Sequence, residues 1–273
     1  MSIASLLSRL FQESADLIYS RMPQPEPGSE TLKTCRLVSH RGEHDNIRVF
    51  ENTCAAFDSA LKAGVWGIEF DVRWTRDLHP VVFHDPDCQR LFKSRTPILG
   101  LTLKELRENF SLIPTLEEVI QRYGKKMHLM AEIKEQEWPD RAYQNQVLRT
   151  LFSSLAPCED FHLLALDPAL FDRIDFVSSH AFLPVAEANI RQLSAWALKH
   201  DCAGLAGHYL LLTRTMLERH KERGHKVATG FIASKNSLYR ELNRGVDWIF
   251  TNSAVSLQTS CKSLPAATQR IQP

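Results

Sequence analysis

Short apolar, β-branched runs alternate with helical segments along most of the chain, and no other feature constrains the fold as tightly. The runs are CRLVSH (35–40), WGIEFDV (66–72), PVVFH (80–84), HLMAEIK (128–134), FHLLAL (161–166), DFVSS (175–179), CAGLAG (202–207), KVATGF (226–231) and WIFTN (248–252). Most are separated by segments of helical character such as NTCAAFDSALKAG, TLEEVIQRYG, AEANIRQLSAWALKH, TRTMLERHKERG and SLYRELNRG. Several of these end in Gly, the residue favoured just past a helix. Strands alternating with helices of about 10–15 residues imply βαβ units and a parallel sheet. No G-x-G-x-x-G follows any of the runs, which removes the usual mark of an open doubly wound sheet. The expected fold is therefore α/β, a closed (β/α)8 barrel. The nine runs are one more than such a barrel needs, and DFVSS, the weakest, is expected to be short or irregular.

The flanks read differently from the barrel. Leu6, Leu7, Leu10, Phe11, Leu17 and Ile18 recur at helical spacing, and the Pro/Gly/Ser segment PQPEPGSE follows. Residues 1–32 are expected to be an N-terminal helix and linker, and residues 33–253 the barrel. Residues 254–273, rich in Ser, Thr and Ala with two prolines, are expected to be a poorly ordered tail. The stretch 85–113 is longer than a tight βα loop and contains LTLKELRENF, so a small insertion is expected after the third strand.

Buried parallel strands read as near-continuous apolar runs. Here His40 and Arg41 end the first run, Glu69 and Asp71 lie in the second, and His84 and Asp85 end the third. Glu132 and Lys134 lie in the fourth, and Asn252 ends the last. In a βα barrel the C-terminal ends of all strands meet on one face, where active sites sit. Glu69 and Asp71 are two apart on a strand, as are Glu132 and Lys134, so each pair points to one side of the sheet. Three carboxylates aimed into one mouth repel unless a cation neutralises them, and oxygen ligands suit Mg²⁺ or Ca²⁺ rather than zinc. One such ion leaves a net −1 on the carboxylates, against which Arg41 and Lys134 set two positive charges. The surplus suits an anionic substrate, and the planar fork of Arg suits phosphate. His40 and His84 add an acid–base pair that titrates near neutral pH, completing the parts needed to cleave a phosphoester.

Bulk properties exclude several alternatives. Lys plus Arg is 33 against 32 for Asp plus Glu, so there is no electrostatic case for a nucleic-acid partner. Six scattered cysteines, with no C-x-x-C, fit a reducing compartment better than a disulfide framework. No apolar run reaches the roughly 18 residues needed to span a bilayer, and the N-terminus lacks the regions of a signal peptide. A cytoplasmic location and a small-molecule partner are expected. A membrane-surface role for the N-terminal helix ranks second, because its polar face carries Glu13 and Asp16 beside only two Arg.

With these residues in view, the chain resembles the glycerophosphodiester phosphodiesterase family, a TIM-barrel group. The matching segments are HRG (40–42), ENT (51–53), EFDV (69–72), VVFHDPD (81–87), IPTLEEVI (113–120), AEIK (131–134) and GVDWIFTN (245–252), in the family's order. The resemblance implies metal-dependent hydrolysis of glycerophosphodiesters to sn-glycerol 3-phosphate and an alcohol. It implies one divalent metal, Mg²⁺ or Ca²⁺, on Glu69, Asp71 and Glu132, and acid–base chemistry by His40 and His84 in either order. It further implies phosphate contacts from Arg41 and Lys134, and a pocket carboxylate, Glu51, that joins or supports the metal site. Read from the residues alone, Glu51 is an acid at the N-terminus of a helix, favoured by the dipole.

Three departures from the family pattern stand out. Leu78-His79 replaces Asp-Gly in the turn before the third strand, GFIAS (230–234) replaces a Trp-Thr-Val-Asn stretch, and Thr251-Asn252 replaces Thr-Asp. The missing Trp opens a wall of the pocket, which Phe231 either replaces in part or leaves open by joining the core. The missing Asp is expected to lower the local negative charge without touching the metal ligands. His44, in the loop past the first strand, is expected to be solvent-exposed, and the other histidines show no metal-binding spacing. The rival readings are a lysophospholipase D or sphingomyelinase-D-like activity on lipid-tailed diesters, and a non-catalytic barrel that binds an anionic ligand or partner.

Overall fold

The structure, a computed structural model, describes residues 17–262. Eight parallel strands close a ring: β1 (Arg36–His40), β2 (Gly67–Trp74), β4 (His128–Ile133), β5 (Phe161–Ala165), β6 (Phe182–Ala186), β7 (Gly204–His208), β8 (Lys226–Gly230) and β9 (Trp248–Thr251). Closure comes from β1, which pairs with β9 on one side and β2 on the other. A ninth strand, β3 (Pro80–Val82), lies outside the ring and runs antiparallel to the end of β2. Around the ring run α2 (Cys54–Ala63), α5 (Leu116–Tyr123), α6 (Arg141–Phe152), α7 (Ile190–Lys199), α8 (Arg214–Glu222) and α9 (Lys235–Arg244). A short helix, α1 (Ser29–Lys33), precedes β1, and α10 (Ala254–Lys262) follows β9.

Helix boundaries follow local chemistry. Thr53, Thr115, Asp140, Thr213 and Ser234 each accept a backbone N–H at a helix start, satisfying a donor that has no partner within the helix. Gly64 and Gly245 end α2 and α9 in the left-handed conformation. All residues of β4 and β5 are buried, as strands covered on both faces must be. Inside the ring, Val38, Met130, Leu164, Leu183, Ala206, Ala228, Trp248 and Phe250 form one apolar core. Below it, at the N-terminal ends of the strands, Trp66 stacks on His128 with ring centres 4.3 Å apart, and His128 Nε2 and His162 Nδ1 are 2.8 Å apart. The barrel is thus packed through its middle and its floor, and its charged layer lies at the opposite end.

Three expectations need correction, and the weakest run, DFVSS, is irregular as expected. Residues 175–179 form no strand: the Asp175 N–H donates to Asn145 Oδ1 and its carboxylate pairs with Arg149, which ties the segment to α6 instead of a ladder. The sixth strand is FLPVA, whose Pro184, lacking an N–H, weakens any strand reading of that run. PVVFH supplies a hairpin strand, not a member of the ring. The expected tail begins as a helix: Ala254 and Leu257 are buried, and α10 packs on β1 and α2. The rest of that tail and most of the expected N-terminal helix lie outside the described residues.

The insertion has a core of its own. It contains α3 (Gln89–Phe92) and α4 (Leu103–Asn109), and Val81, Phe83, Cys88, Ile98, Leu101, Leu106 and Ile113 pack together within it. Val81 and Phe83 join this cluster to the β2–β3 hairpin, so the insertion is fixed at the mouth.

Candidate active site

β2 and β4 pair with Asp71 opposite Glu132, which sets Glu69, Asp71 and Glu132 on the inner face of the ring. One oxygen from each lies within 4.8 Å of the others, and all three residues are buried. They are the one such set of metal-ligating groups among the described residues. Lys134 Nζ stands 2.7 Å from Asp71 Oδ1 and also bonds Glu132, while Arg41 Nε stands 3.2 Å from Asp71 Oδ2. Asn52 Nδ2 donates to Asp71 Oδ2 at 2.7 Å, and the Arg41 backbone N–H donates to Glu69 Oε2 at 3.1 Å. Glu69 Oε1 is buried with no hydrogen-bond partner among the described residues.

Burial, reinforced by Asp71 and Glu132, pushes the Glu69 carboxyl well above its ordinary range. At Asp71 burial acts the same way, but Lys134 and Arg41 outweigh it and hold the group well below its usual value. Three carboxylates facing two cations leave one negative charge over, and Glu69 is where it is felt. An all-oxygen set with an orphaned buried oxygen fits a hard divalent cation.

The turn past β1 delivers the other groups. His40 is the last residue of the strand, Arg41 has φ +56° and Gly42 φ +78°. The left-handed pair reverses the chain so that Arg41 faces back over the carboxylates. Gly42 then runs against α2, where a Cβ would lie 2.6 Å from Ala56 Cβ and 2.8 Å from its carbonyl carbon. Gly42→Ala should destabilise the protein by about 2–4 kcal/mol, read as a lower midpoint of thermal unfolding. An unchanged midpoint would show that the turn relaxes freely.

His40 Nδ1 is 2.7 Å from Asn252 Oδ1, so its N–H donates to that amide and Nε2 is left 3.7 Å from Glu69 Oε2. Burial, then Arg41, lowers this imidazole to about 3. His84 Nδ1 is 2.6 Å from Asp85 Oδ1, and the His84 carbonyl accepts Arg73 Nε at 2.8 Å. His84 is not at the end of a barrel strand. β2 continues above the ring, and the antiparallel β3 returns along it until the Phe83 N–H meets the Asp71 carbonyl at 2.9 Å. The hairpin thereby sets His84 beside the carboxylates by a route other than the expected one.

Glu51 is not a first-turn helix acid: Thr53 caps α2, and Glu51 is only 4% exposed in the preceding loop. Its Oε1 accepts Arg41 Nη1 at 3.0 Å and Arg90 Nη2 at 2.5 Å, and its Oε2 accepts Asn46 Nδ2 at 2.7 Å and Arg90 Nη1 at 3.0 Å. Burial would raise this carboxyl, but Arg90 and Arg41 outweigh it and hold it at about 2. With both oxygens bonded to cations and an amide, Glu51 stands apart from the three converging carboxylates. His44, expected in solvent, is largely buried, with Nδ1 2.9 Å from the Gly42 carbonyl and Nε2 3.9 Å from Glu51. Phe231 is no core residue: it is 43% exposed, has φ +67°, and its ring stands edge-on to His40 at 5.8 Å. Asn46, Asn52 and Arg90 also join the site, and none of them lies at a strand end to mark it in the sequence.

The model of the glycerophosphoryl diester phosphodiesterase family matches residues 40–255, from His40 through the last strand. The chain belongs to this family. It is thereby a phosphoric diester hydrolase by descent, and its barrel is the family's. A glycerophosphodiester phosphodiesterase of Caldanaerobacter subterraneus subsp. tengcongensis is 26% identical over 238 residues, covering 81% of this chain and 95% of that protein. Among solved structures, the glycerophosphodiester phosphodiesterase of Thermotoga maritima superposes with a TM-score of 0.69 at 23% identity, covering 83% of this chain and 98% of that one. An Oleispira antarctica phosphodiesterase, in complex with the product sn-glycerol-3-phosphate, superposes with a TM-score of 0.67 at 24% identity, covering 84% and 97%. No helix among the described residues is long and apolar enough to cross a membrane.

Proposed function

We propose that this chain hydrolyses glycerophosphodiesters to sn-glycerol 3-phosphate and an alcohol, with one divalent cation, Mg²⁺ or Ca²⁺, held by Glu69, Asp71 and Glu132. The observation that carries the reading is the buried three-carboxylate set with Arg41 and Lys134 against it and two imidazoles at its rim. The product held by the Oleispira phosphodiesterase supports the same reading. When bound, the cation supplies Lewis-acid polarisation of the phosphoryl oxygens. Arg41 and Lys134 hold those oxygens as negative charge builds on them.

The two histidines divide the proton transfers according to their partners. His40 donates Nδ1–H to a neutral amide and sits beside Arg41, an environment that keeps it uncharged. Its Nε2 takes the proton from the attacking hydroxyl, that of water or of the neighbouring glycerol carbon; in the second case a cyclic phosphate forms, which water then opens to sn-glycerol 3-phosphate. His84 donates Nδ1–H to the Asp85 carboxylate, which fixes the orientation of its ring and leaves Nε2 to serve the leaving group. It protonates the leaving alkoxide. Asn252, where the family pattern has Asp, thus does more than lower the local charge: it gives the two histidines unlike partners.

Release of sn-glycerol 3-phosphate from a mixture of glycerophosphodiesters tests the reaction. Release is expected with Mg²⁺ or Ca²⁺ and should fall at least about a hundredfold with a chelator. No release with either cation would overturn the reading.

A further inference from the structure

Arg90 belongs to the insertion, not to the sheet, yet its guanidinium grips two carboxylates of the site at once. Nη1 and Nη2 take both oxygens of Glu51, at 3.0 and 2.5 Å, and Nε donates to Asp85 Oδ2 at 2.6 Å. The other Asp85 oxygen holds His84 Nδ1 at 2.6 Å, and Glu51 Oε1 also holds Arg41 Nη1 at 3.0 Å. A continuous path therefore runs from His84 through Asp85, Arg90 and Glu51 to Arg41. Only a planar fork with three nitrogens directed outward makes all three contacts; a lysine ammonium at the end of a flexible chain does not.

We infer that Arg90 is a positioning residue through which the insertion sets both the orientation of His84 and the availability of Arg41. The inference rests on the reading of His84 as proton donor. With Arg90 present, Asp85 is locked by a bond on each oxygen and holds the His84 ring by Nδ1–H in the orientation from which Nε2–H reaches the leaving group. Without it, Asp85 turns freely. Glu51, relieved of its main partner, binds Arg41 more closely and draws it from the phosphate, and the site gains a negative charge that repels an anionic diester. The first effect falls on kcat and the second on KM. The Arg90 side chain is 44% exposed, so its loss opens no cavity in the barrel.

A double-mutant cycle with His84 tests this. Arg90→Ala should lower kcat tenfold or more and raise KM, and guanidinium ion added to the assay should recover part of the kcat. Arg90→Lys should behave like the Ala variant. In a His84→Ala background, Arg90→Ala should change kcat less than threefold while still raising KM. Loss of kcat by the full factor in that background, or normal kcat in Arg90→Lys, would overturn the inference. Normal kcat in His84→Ala alone would instead overturn the reading on which it rests, so the two failures are distinguishable.

Discussion

His84→Ala should lower kcat by about 10²–10⁴-fold on a diester with an alkyl leaving group. On a diester whose leaving group is a nitrophenolate, which departs without a proton, the same variant should retain most of its activity. His40→Ala should lose activity by about the same 10²–10⁴-fold factor on both substrates, because the attacking hydroxyl must be deprotonated whatever leaves. The difference comes from the Nδ1 partners, a carboxylate for His84 and a neutral amide for His40. Kinetics on the paired substrates check it. If His40→Ala is the variant spared on the activated diester, the two roles are reversed and the Nδ1 partners do not set them.

The second large effect concerns Glu69. In the wild type a cation at 100 times its Kd should add about 2.7 kcal/mol to stability, raising Tm by roughly 5–10 °C. Glu69→Gln should abolish most of that increment and lower activity on the order of 10²–10³-fold. The cation-free variant should nonetheless be more stable than the cation-free wild type, by about 1–3 kcal/mol, because a buried carboxylate among like charges has been neutralised. The sign can be followed with pH. Glu69 is raised in the folded protein, so its protonated form contributes stability at pH below the ordinary carboxylate pKa, and this is lost as pH rises through the folded value. Glu51 is lowered to about 2, so its contribution is present above the ordinary value and lost as pH falls towards 2. Urea unfolding with a chelator across this range should show the first loss in the wild type and not in Glu69→Gln. Equal cation-free stability of the two proteins at neutral pH would refute the assignment of the excess charge to Glu69.

What could be read in advance follows from what each residue depends on. Glu69 and Asp71 share a face because a strand repeats every two residues, and only the neighbouring strand is needed to set Glu132 beside them. Arg41 and Gly42 belong to a turn whose left-handed backbone is local. These were legible. Asn252 is 212 residues from His40 and meets it only because β1 pairs with β9, so its partner needed the closed ring. Arg90 sits in a four-residue helix with neither strand periodicity nor a strand end to mark it. β6 was hidden by Pro184, and α10 by a composition that looks like a tail until Ala254 and Leu257 find β1 and α2 to cover them. His84 lies level with the barrel-strand ends although it ends none of them, because a hairpin returning to the mouth stops at the same height.

All eight residues proposed for the chemistry lie from His40 to Lys134, on β1, β2 and β4 or in the segments that directly follow β1, the hairpin and β4. The later strands lend the site Asn252 and the exposed ring of Phe231. On the proposed reading the barrel is therefore lopsided in its labour: the front half carries the reacting groups, and the back half orients His40 and lines the rim. A hybrid that joins the front half of this chain to the back half of a relative, with the seam between β4 and β5, should inherit its reaction from one parent and its taste in alcohols from the other.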